Sequence, residues 1–336
     1  MEKTIASFKE TFQIINIGDY NNRLDNYKKA ITVLNKIKKN QCLVPIQKTG
    51  KFTQYQINDN QLILVNRIGS NSKYGAVYLT TTQNKLFKFA TKLTPINMHN
   101  YKEIILSKQL SDVTLANLNP HFLLIFKLMI CNNKNKQLFL LPRIIRNENY
   151  YISINELVSG NLKNFLYEGN HSNKLILNAL QQVLLAVLSF HHFTEGIFHR
   201  DCHSKNFLFH KITPGGYFHY QIFGRNVYVE NLGFIWMIWD FGLVKSDEVD
   251  RQLRIEDYIK ITYSIYKYND TFRDNSSDNS LKIKLKQILN LSNIYKRVFD
   301  KNDEEFMENL FDIPGLFQFE IPENSKIINN KPYIIN

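Results

Sequence analysis

Residues His199–Asn206 read HRDCHSKN, and Trp239–Leu243 read WDFGL. The first stretch carries a carboxylate, Asp201, and an amide, Asn206, five residues apart. The second delivers another carboxylate, Asp240, directly from the apolar run Leu232–Trp239. Upstream, Ile176, Leu180, Val183, Leu184, Val187 and Leu188 recur at helical spacing, with Gln181 and Gln182 on the other face. That helix predicts a scaffold, and the loop-rich segment after Gly196 holds most of the unusual residues.

Further from this segment the texture divides. Before it, Leu62–Val65, Ala76–Thr80, Leu86–Thr91, Leu138–Leu141 and Tyr150–Ile154 are apolar or β-branched runs between polar turns, which predicts strands. One helical stretch, Tyr101–Leu110, interrupts them. After it, Asp257–Tyr268 and Leu281–Val298 read as helices around the polar loop Asn269–Ser280. At the start, Tyr27, Ala30, Ile31, Leu34 and Ile37 make Asn26–Lys39 an amphipathic helix, followed by a turn-rich stretch through Pro45 and Gly50. A strand-rich half with one helix and then a helical half predict an α+β chain of two lobes with a cleft between them.

HRD followed by Asn five residues after the Asp, and then DFG, resembles the catalytic loop and metal-binding motif of protein kinases. Phosphoryl transfer requires a carboxylate to orient and deprotonate the attacking hydroxyl, and oxygen ligands for magnesium on the triphosphate. The resemblance implies the first role for Asp201 and the second for Asn206 and Asp240, with ATP and Mg²⁺ as cofactors. Upstream, Ile68–Tyr78 reads IGSNSKYGAVY and resembles a glycine-rich phosphate loop, with Gly69 and Gly75 as its glycines. Lys92 closes FATK, the counterpart of the VAIK lysine. Glu103, in the lone helix of that half, is placed to pair with Lys92 and aim it at the phosphates. Ile68, Val77 and Ala90 would wall the adenine pocket. Asn155–Gly160, NELVSG, would be the hinge, where the Glu156 carbonyl and the Val158 backbone meet the adenine edge. Asn155 would be the gatekeeper there, a polar choice whose buried amide needs partners.

The resemblance implies a bilobal kinase-like fold: an N-terminal helical extension at 1–60, a small antiparallel sheet lobe with one helix at 61–157, and a mainly helical lobe at 158–336. Four features depart from the family. The glycine loop is one residue longer than usual and carries Asn71 near its middle glycine position. His203 stands where serine/threonine kinases carry a phosphate-contacting Lys, with Lys205 near where tyrosine kinases carry an Arg. The D-x-H-x-x-N spacing also resembles small-molecule phosphotransferases of the aminoglycoside-kinase type. An insertion, 211–238, separates the two motifs; from Phe218 to Trp239 it alternates apolar and polar residues around Gly224-Arg225-Asn226, as in an extended hairpin. A packing role is favoured over a docking one. No APE follows DFG, and Asp257 resembles the buried aspartate that supports the HRD backbone.

Composition bounds the rest. The chain has 336 residues, 44% hydrophobic and 21% charged, with only 13 Gly and 8 Pro, which excludes collagen-like, coiled-coil and wholly disordered classes. Asn accounts for 40 residues; with abundant Ile and Lys this points to A/T-rich codons, and the chain is similar in this to divergent serine/threonine kinases of large DNA viruses of the mimivirus and poxvirus type. The net charge of +12 comes from scattered Lys without aromatic interleaving, which argues against nucleic acid as a specific ligand. Cys42, Cys131 and Cys202 are few, odd in number and widely spaced, fitting a reducing compartment and not a secreted disulfide scaffold. Neither Phe122–Cys131 nor Leu232–Trp239 is long enough to span a membrane, and MEKTIASFKETFQ has no secretory pattern. The expected location is the cytoplasm, of a host cell, or the interior of a virion. Six of the nine His lie between His191 and His219, but no Cys pairs accompany them, which disfavours zinc. The reading is an ATP-dependent protein kinase acting on Ser/Thr hydroxyls of protein substrates. A pseudokinase-like interaction module and a small-molecule phosphotransferase stay open beside it.

Overall fold

The computed structural model of the chain describes residues 17–38, 42–49, 52–57, 61–68, 75–132, 149–195, 197–245, 252–273, 279–296 and 303–336. The fold is mixed α+β, with seven α-helices and thirteen strands among the described residues. It divides into two compact units, Asn21–Leu115 with Leu123–Val158, and Met1–Tyr20 with Ala116–Phe122 and Ser159–Asn336. Gly69, Asn71 and the expected strand Leu138–Leu141 lie outside the described residues; the helices expected to run to Lys39 and Val298 end earlier, at Leu34 and Tyr295.

The first unit is built on one antiparallel sheet of seven strands, far larger than the small sheet expected. Its strands are β1 Leu43–Thr49, β2 Phe52–Ile57, β3 Leu62–Ile68, β4 Ala76–Thr82, β5 Lys88–Pro95, β6 Ile125–Cys131 and β7 Tyr150–Glu156, in the order β1-β2-β3-β4-β5-β7-β6. Two helices join it, α1 Asn22–Leu34 and α2 Met98–Leu115, where one was expected. The difference comes from the N-terminal segment. Its helix is present, but the stretch expected to be turn-rich is the β1–β2 hairpin, which pairs on to β3 and extends the sheet.

The sheet curls until its two edges meet. Cys42, just before β1, is disulfide-bonded to Cys131, the last residue of β6, with their Cα atoms 4.9 Å apart. One disulfide is thus present despite the sparse cysteines, joining residues that only the curl brings together. Ala30 and Leu34 of the N-terminal helix, with Ile37 just beyond it, share a core with Leu43, Ile57, Leu62, Phe89, Leu93, Met129, Ile152 and Ile154. Strand β6 escaped the sequence reading because Lys127 interrupts its apolar run. The register shifts between Ile125 and Lys127, and the Lys127 amine leaves the sheet to donate to the Leu34 carbonyl at 2.7 Å.

The second unit centres on α4, Asn173–Phe193, whose side chains from Ile176 to His191 are buried almost continuously. Among the described residues this is the helix long and apolar enough to cross a membrane, and 78% of its apolar window lies inside the structure. α5 Gln252–Arg273 packs on it, α3 Leu162–Glu168 and α6 Ser280–Tyr295 pack on α5, and α7 Asp303–Phe311 packs on α6. Two small sheets complete the unit. One orders β12 Phe234–Ile238, β9 Phe207–Lys211 and β8 Gly160–Asn161; the other orders β11 Arg225–Glu230, β10 Tyr217–Ile222 and β13 Tyr333–Ile335.

The insertion is the β10–β11 hairpin, as its alternation implies. Its turn is Phe223-Gly224, both with positive φ (46° and 80°), the backbone that a two-residue hairpin favours, and not Gly224–Asn226. The alternate residues Phe218, Tyr220 and Ile222 are buried, β13 pairs alongside β10, and the Arg225 guanidinium lies over the rings of Phe311 and Phe319. One face of the hairpin is thus taken up in packing.

Candidate active site

The loop between α4 and β9 is held by one buried carboxylate. Asp257 on α5 accepts the His199 N–H at 2.6 Å and the Arg200 N–H at 2.8 Å, while His191 on α4 lies 3.1 Å from the same group. Burial pushes this carboxyl up, but the hydrogen bond and charge of His191, together with His199, outweigh it and hold it below its ordinary range. The Lys260 amine caps the Arg200 carbonyl. Arg200 itself sits at φ 66°, a conformation that a non-glycine residue keeps only when its surroundings enforce it.

Held in this way, the loop displays its polar groups in a fixed order. Asn206 Nδ2 donates to both the Asp201 carbonyl and Asp201 Oδ2, each at 3.0 Å. Those two donations turn Asn206 Oδ1 away, with no protein donor on it among the described residues. His203 Nδ1 accepts the Lys205 N–H at 3.3 Å, which leaves the proton on Nε2, 3.5 Å from Asp201 Oδ2.

His199 ties this loop to the second motif. Its Nδ1 accepts the Asp201 N–H at 3.3 Å and its Nε2 faces the Trp239 carbonyl at 3.0 Å, the pattern of a neutral imidazole. Burial lowers its pKa accordingly, against the opposing pull of Asp257, the Trp239 carbonyl, Asp240 and Asp201. The Trp239 N–H donates to the Asn206 carbonyl at 2.9 Å. Asp240 follows at φ 67°, and Phe241 anchors the turn by stacking on Phe190 at 5.3 Å. Asp201, His203, Asn206 and Asp240 are therefore brought on to two cross-linked loops of one unit. An amide oxygen and a carboxylate are hard donors of the kind magnesium takes beside substrate phosphates, so the donor set fits that ion. No group of three or more His, Cys, Asp or Glu among the described residues is placed to chelate a metal unaided.

In the other unit, Lys92 on β5 forms an ion pair with Glu103 on α2, with side chains 14% and 5% exposed. Neither is the solvated surface charge each would most often be alone. Register places the expected wall residues with Lys92: Val77 faces it across β4–β5, Ile68 faces Val77, and Ala90 lies two residues before it. All four are half-buried, whereas Phe89, Thr91 and Leu93 between them point into the core. One face of the sheet thus carries the lysine and the apolar side chains together. Gly75 is needed for close packing: a Cβ there would sit 2.5 Å from the Leu93 carbonyl oxygen.

At the end of β7 the buried amide of Asn155 has its partners. Asn155 Nδ2 donates to the Ala90 and Ser153 carbonyls at 3.1 and 3.0 Å, and Ser153 Oγ donates to its Oδ1 at 2.8 Å. Glu156 is buried, its side chain engaged by Arg23, and Val158 is half-buried beyond the strand. Arg23 and the Ser153 partner of Asn155 were not found in the sequence, where neither carries a motif. Asp257 could be found only through the family resemblance.

No family model matches the chain. A protein of Frog virus 3 (isolate Goorha) is 26% identical to it over 145 residues. That relative is named "Putative serine/threonine-protein kinase 019R". The match spans 43% of this chain but only 16% of the relative, and so supports a distant kinase-like relationship and not a shared whole-protein activity.

Proposed function

We propose that the chain is an ATP-dependent protein kinase that transfers the γ-phosphate of Mg-ATP to Ser or Thr hydroxyls of protein substrates, its two units being the two lobes of a kinase-like fold. The observation that carries this reading is the ion pair of half-buried Lys92 with buried Glu103, on the sheet face that also carries Ile68, Val77 and Ala90. Burying two charges is rarely worth its desolvation cost for stability alone, which favours a functional reason. In this reading Glu103 holds the Lys92 amine extended toward the α- and β-phosphates. Asp201 Oδ2, already oriented by Asn206, accepts the proton of the attacking hydroxyl. Asn206 Oδ1 and Asp240 would hold magnesium, which when bound neutralises charge on the phosphates. His203, with Nε2–H beside Asp201, would donate toward the transferring group.

The test is incubation with γ-labelled ATP and a mixed protein extract, followed by phosphoamino-acid analysis. Label on Ser or Thr, lost in Lys92→Met and Asp201→Ala while both variants remain folded, is the expected result. Label on a small-molecule hydroxyl with proteins unlabelled would make the chain a small-molecule phosphotransferase. Stabilisation by Mg-ATP without any transfer would make it a pseudokinase.

A further inference from the structure

Arg23 is out of keeping with its position. It lies in the first turn of α1, yet its side chain is only 2% exposed and forks on to Glu156, with Nε 3.0 Å from Oε2 and Nη2 2.5 Å from Oε1. Glu156 Oε1 also accepts the Leu124 N–H at 2.6 Å, and the Glu156 N–H donates to the Leu124 carbonyl at 2.9 Å. The last residue of β7 is thus fastened through both its side chain and its backbone. An apolar pair would fill the same space at less desolvation cost, so stability alone does not account for the two charges. A guanidinium fork on a carboxylate sets distance and plane together, which an apolar contact or a lysine does not.

The helix that presents Arg23 is itself fixed to β6, the strand paired with β7. Tyr27 stacks on Phe126 of β6 with ring centres 5.0 Å apart, Lys127 of β6 binds the carbonyl of Leu34, and Cys42–Cys131 joins the chain beyond the helix to the end of β6. The clamp ends where the sequence places the adenine-contacting backbone, Glu156–Val158.

We propose that Arg23 is a positioning residue for nucleotide recognition: through Glu156 it fixes the 156–158 backbone whose carbonyl and N–H groups receive the edge of a purine nucleotide. This rests on the kinase reading and adds to it a residue from outside the kinase-like motifs. The N-terminal helix is then part of the nucleotide site's scaffold.

The experiment measures Mg-ADP affinity by calorimetry on the full chain, with amide hydrogen exchange over 150–158 and melting temperature read in parallel. Arg23→Lys keeps the charge without the fork. The double substitution Arg23→Met/Glu156→Leu refills the buried space and guards against simple unfolding. The proposal expects both variants to weaken Mg-ADP binding about tenfold and to speed exchange over 156–158, with the double variant still folded although the Leu124 N–H loses its side-chain acceptor. Unchanged Mg-ADP affinity in the folded double variant would overturn it and leave the kinase reading standing. No Mg-ADP binding by the unsubstituted protein would overturn both.

Discussion

Asp257 holds Arg200 in the left-handed region of backbone space: its Oδ1 accepts the Arg200 N–H at 2.8 Å while Oδ2 takes the neighbouring N–H of His199. Removing that carboxylate leaves two backbone donors and His191 without their acceptor, in a setting where an unmatched buried polar group costs about 1–3 kcal/mol. Asp257→Ala should therefore lower unfolding free energy by about 3 kcal/mol or more, and Asp257→Asn by less, both read by denaturant titration. Phosphate transfer by Asp257→Asn should fall even where the protein is still folded, because the Asp201 loop loses its geometry.

The neutral state of His199 gives the fold an acid limit. Its pKa is lowered in the folded chain, so below the ordinary value of 6.5 the unfolded chain binds more protons and stability falls with pH. The contribution is complete above 6.5 and is lost progressively as the pH drops toward the lowered folded value, at no more than about 1.4 kcal/mol per pH unit for one group. Asp257, also lowered, adds its loss only below its ordinary 3.8. Denaturant titrations at intervals from pH 8 to pH 5 should show this decline, and His199→Gln should flatten it. An identical slope in the two proteins would place the titration elsewhere.

Different parts of this structure were legible in the sequence to different degrees. Helix α4 announced itself by periodicity, and the 199–206 and 239–243 segments by residue type and spacing, because both signals are local. The partners of Asn155 and Glu156 were not legible. Ala90 reaches Asn155 only through strand register, and Arg23 reaches Glu156 across 133 residues. Strands β1 and β2 were hidden by Pro45 and by polar residues such as Gln54 and Gln56. Such a sequence pairs as a strand because β3 offers it an edge, not because of its own pattern. The same holds for β13, a three-residue strand that exists only against β10.

The disulfide between Cys42 and Cys131 closes a loop with a sequence separation of 89. Chain-entropy arguments assign a cross-link of this span up to about 4.6 kcal/mol. Reduction, or Cys42→Ser, should lower the melting temperature, and a non-reduced digest should release the two cysteine peptides joined. Cys202, whose thiol is buried and pushed to higher pKa, should resist alkylation until the protein unfolds. Equal melting temperatures with and without reductant would show that the cross-link adds nothing.

Gly75 tests the packing of β4 on β5. A methyl group there would meet the Leu93 carbonyl oxygen at 2.5 Å and Thr94 Cγ2 at 2.8 Å, so the strands must part. Gly75→Ala should cost about 1–3 kcal/mol, the usual range for overpacking. It should also depress phosphate transfer, because Val77, two residues on, is the cross-strand neighbour of Lys92. A variant as stable and as active as the unsubstituted protein would mean that the strands relax freely.

Tyr333 tests whether the 211–238 insertion is structural. Its ring is buried against Tyr220 of the hairpin at 5.4 Å, and its hydroxyl donates to that of Tyr20 at 3.2 Å. Truncation removes a large buried aromatic together with that hydrogen bond, and changes of this kind cost about 3–5 kcal/mol. Tyr333→Ala should therefore unfold at markedly lower denaturant. Arg225→Ala, which removes only the contacts over Phe311 and Phe319, should cost about 1 kcal/mol. Because the packing reading gives the hairpin no contact with substrate, Arg225→Ala should retain the transfer rate and the protein-substrate KM of the unsubstituted protein. A raised KM for protein substrate at unchanged stability would assign the hairpin a docking role after all.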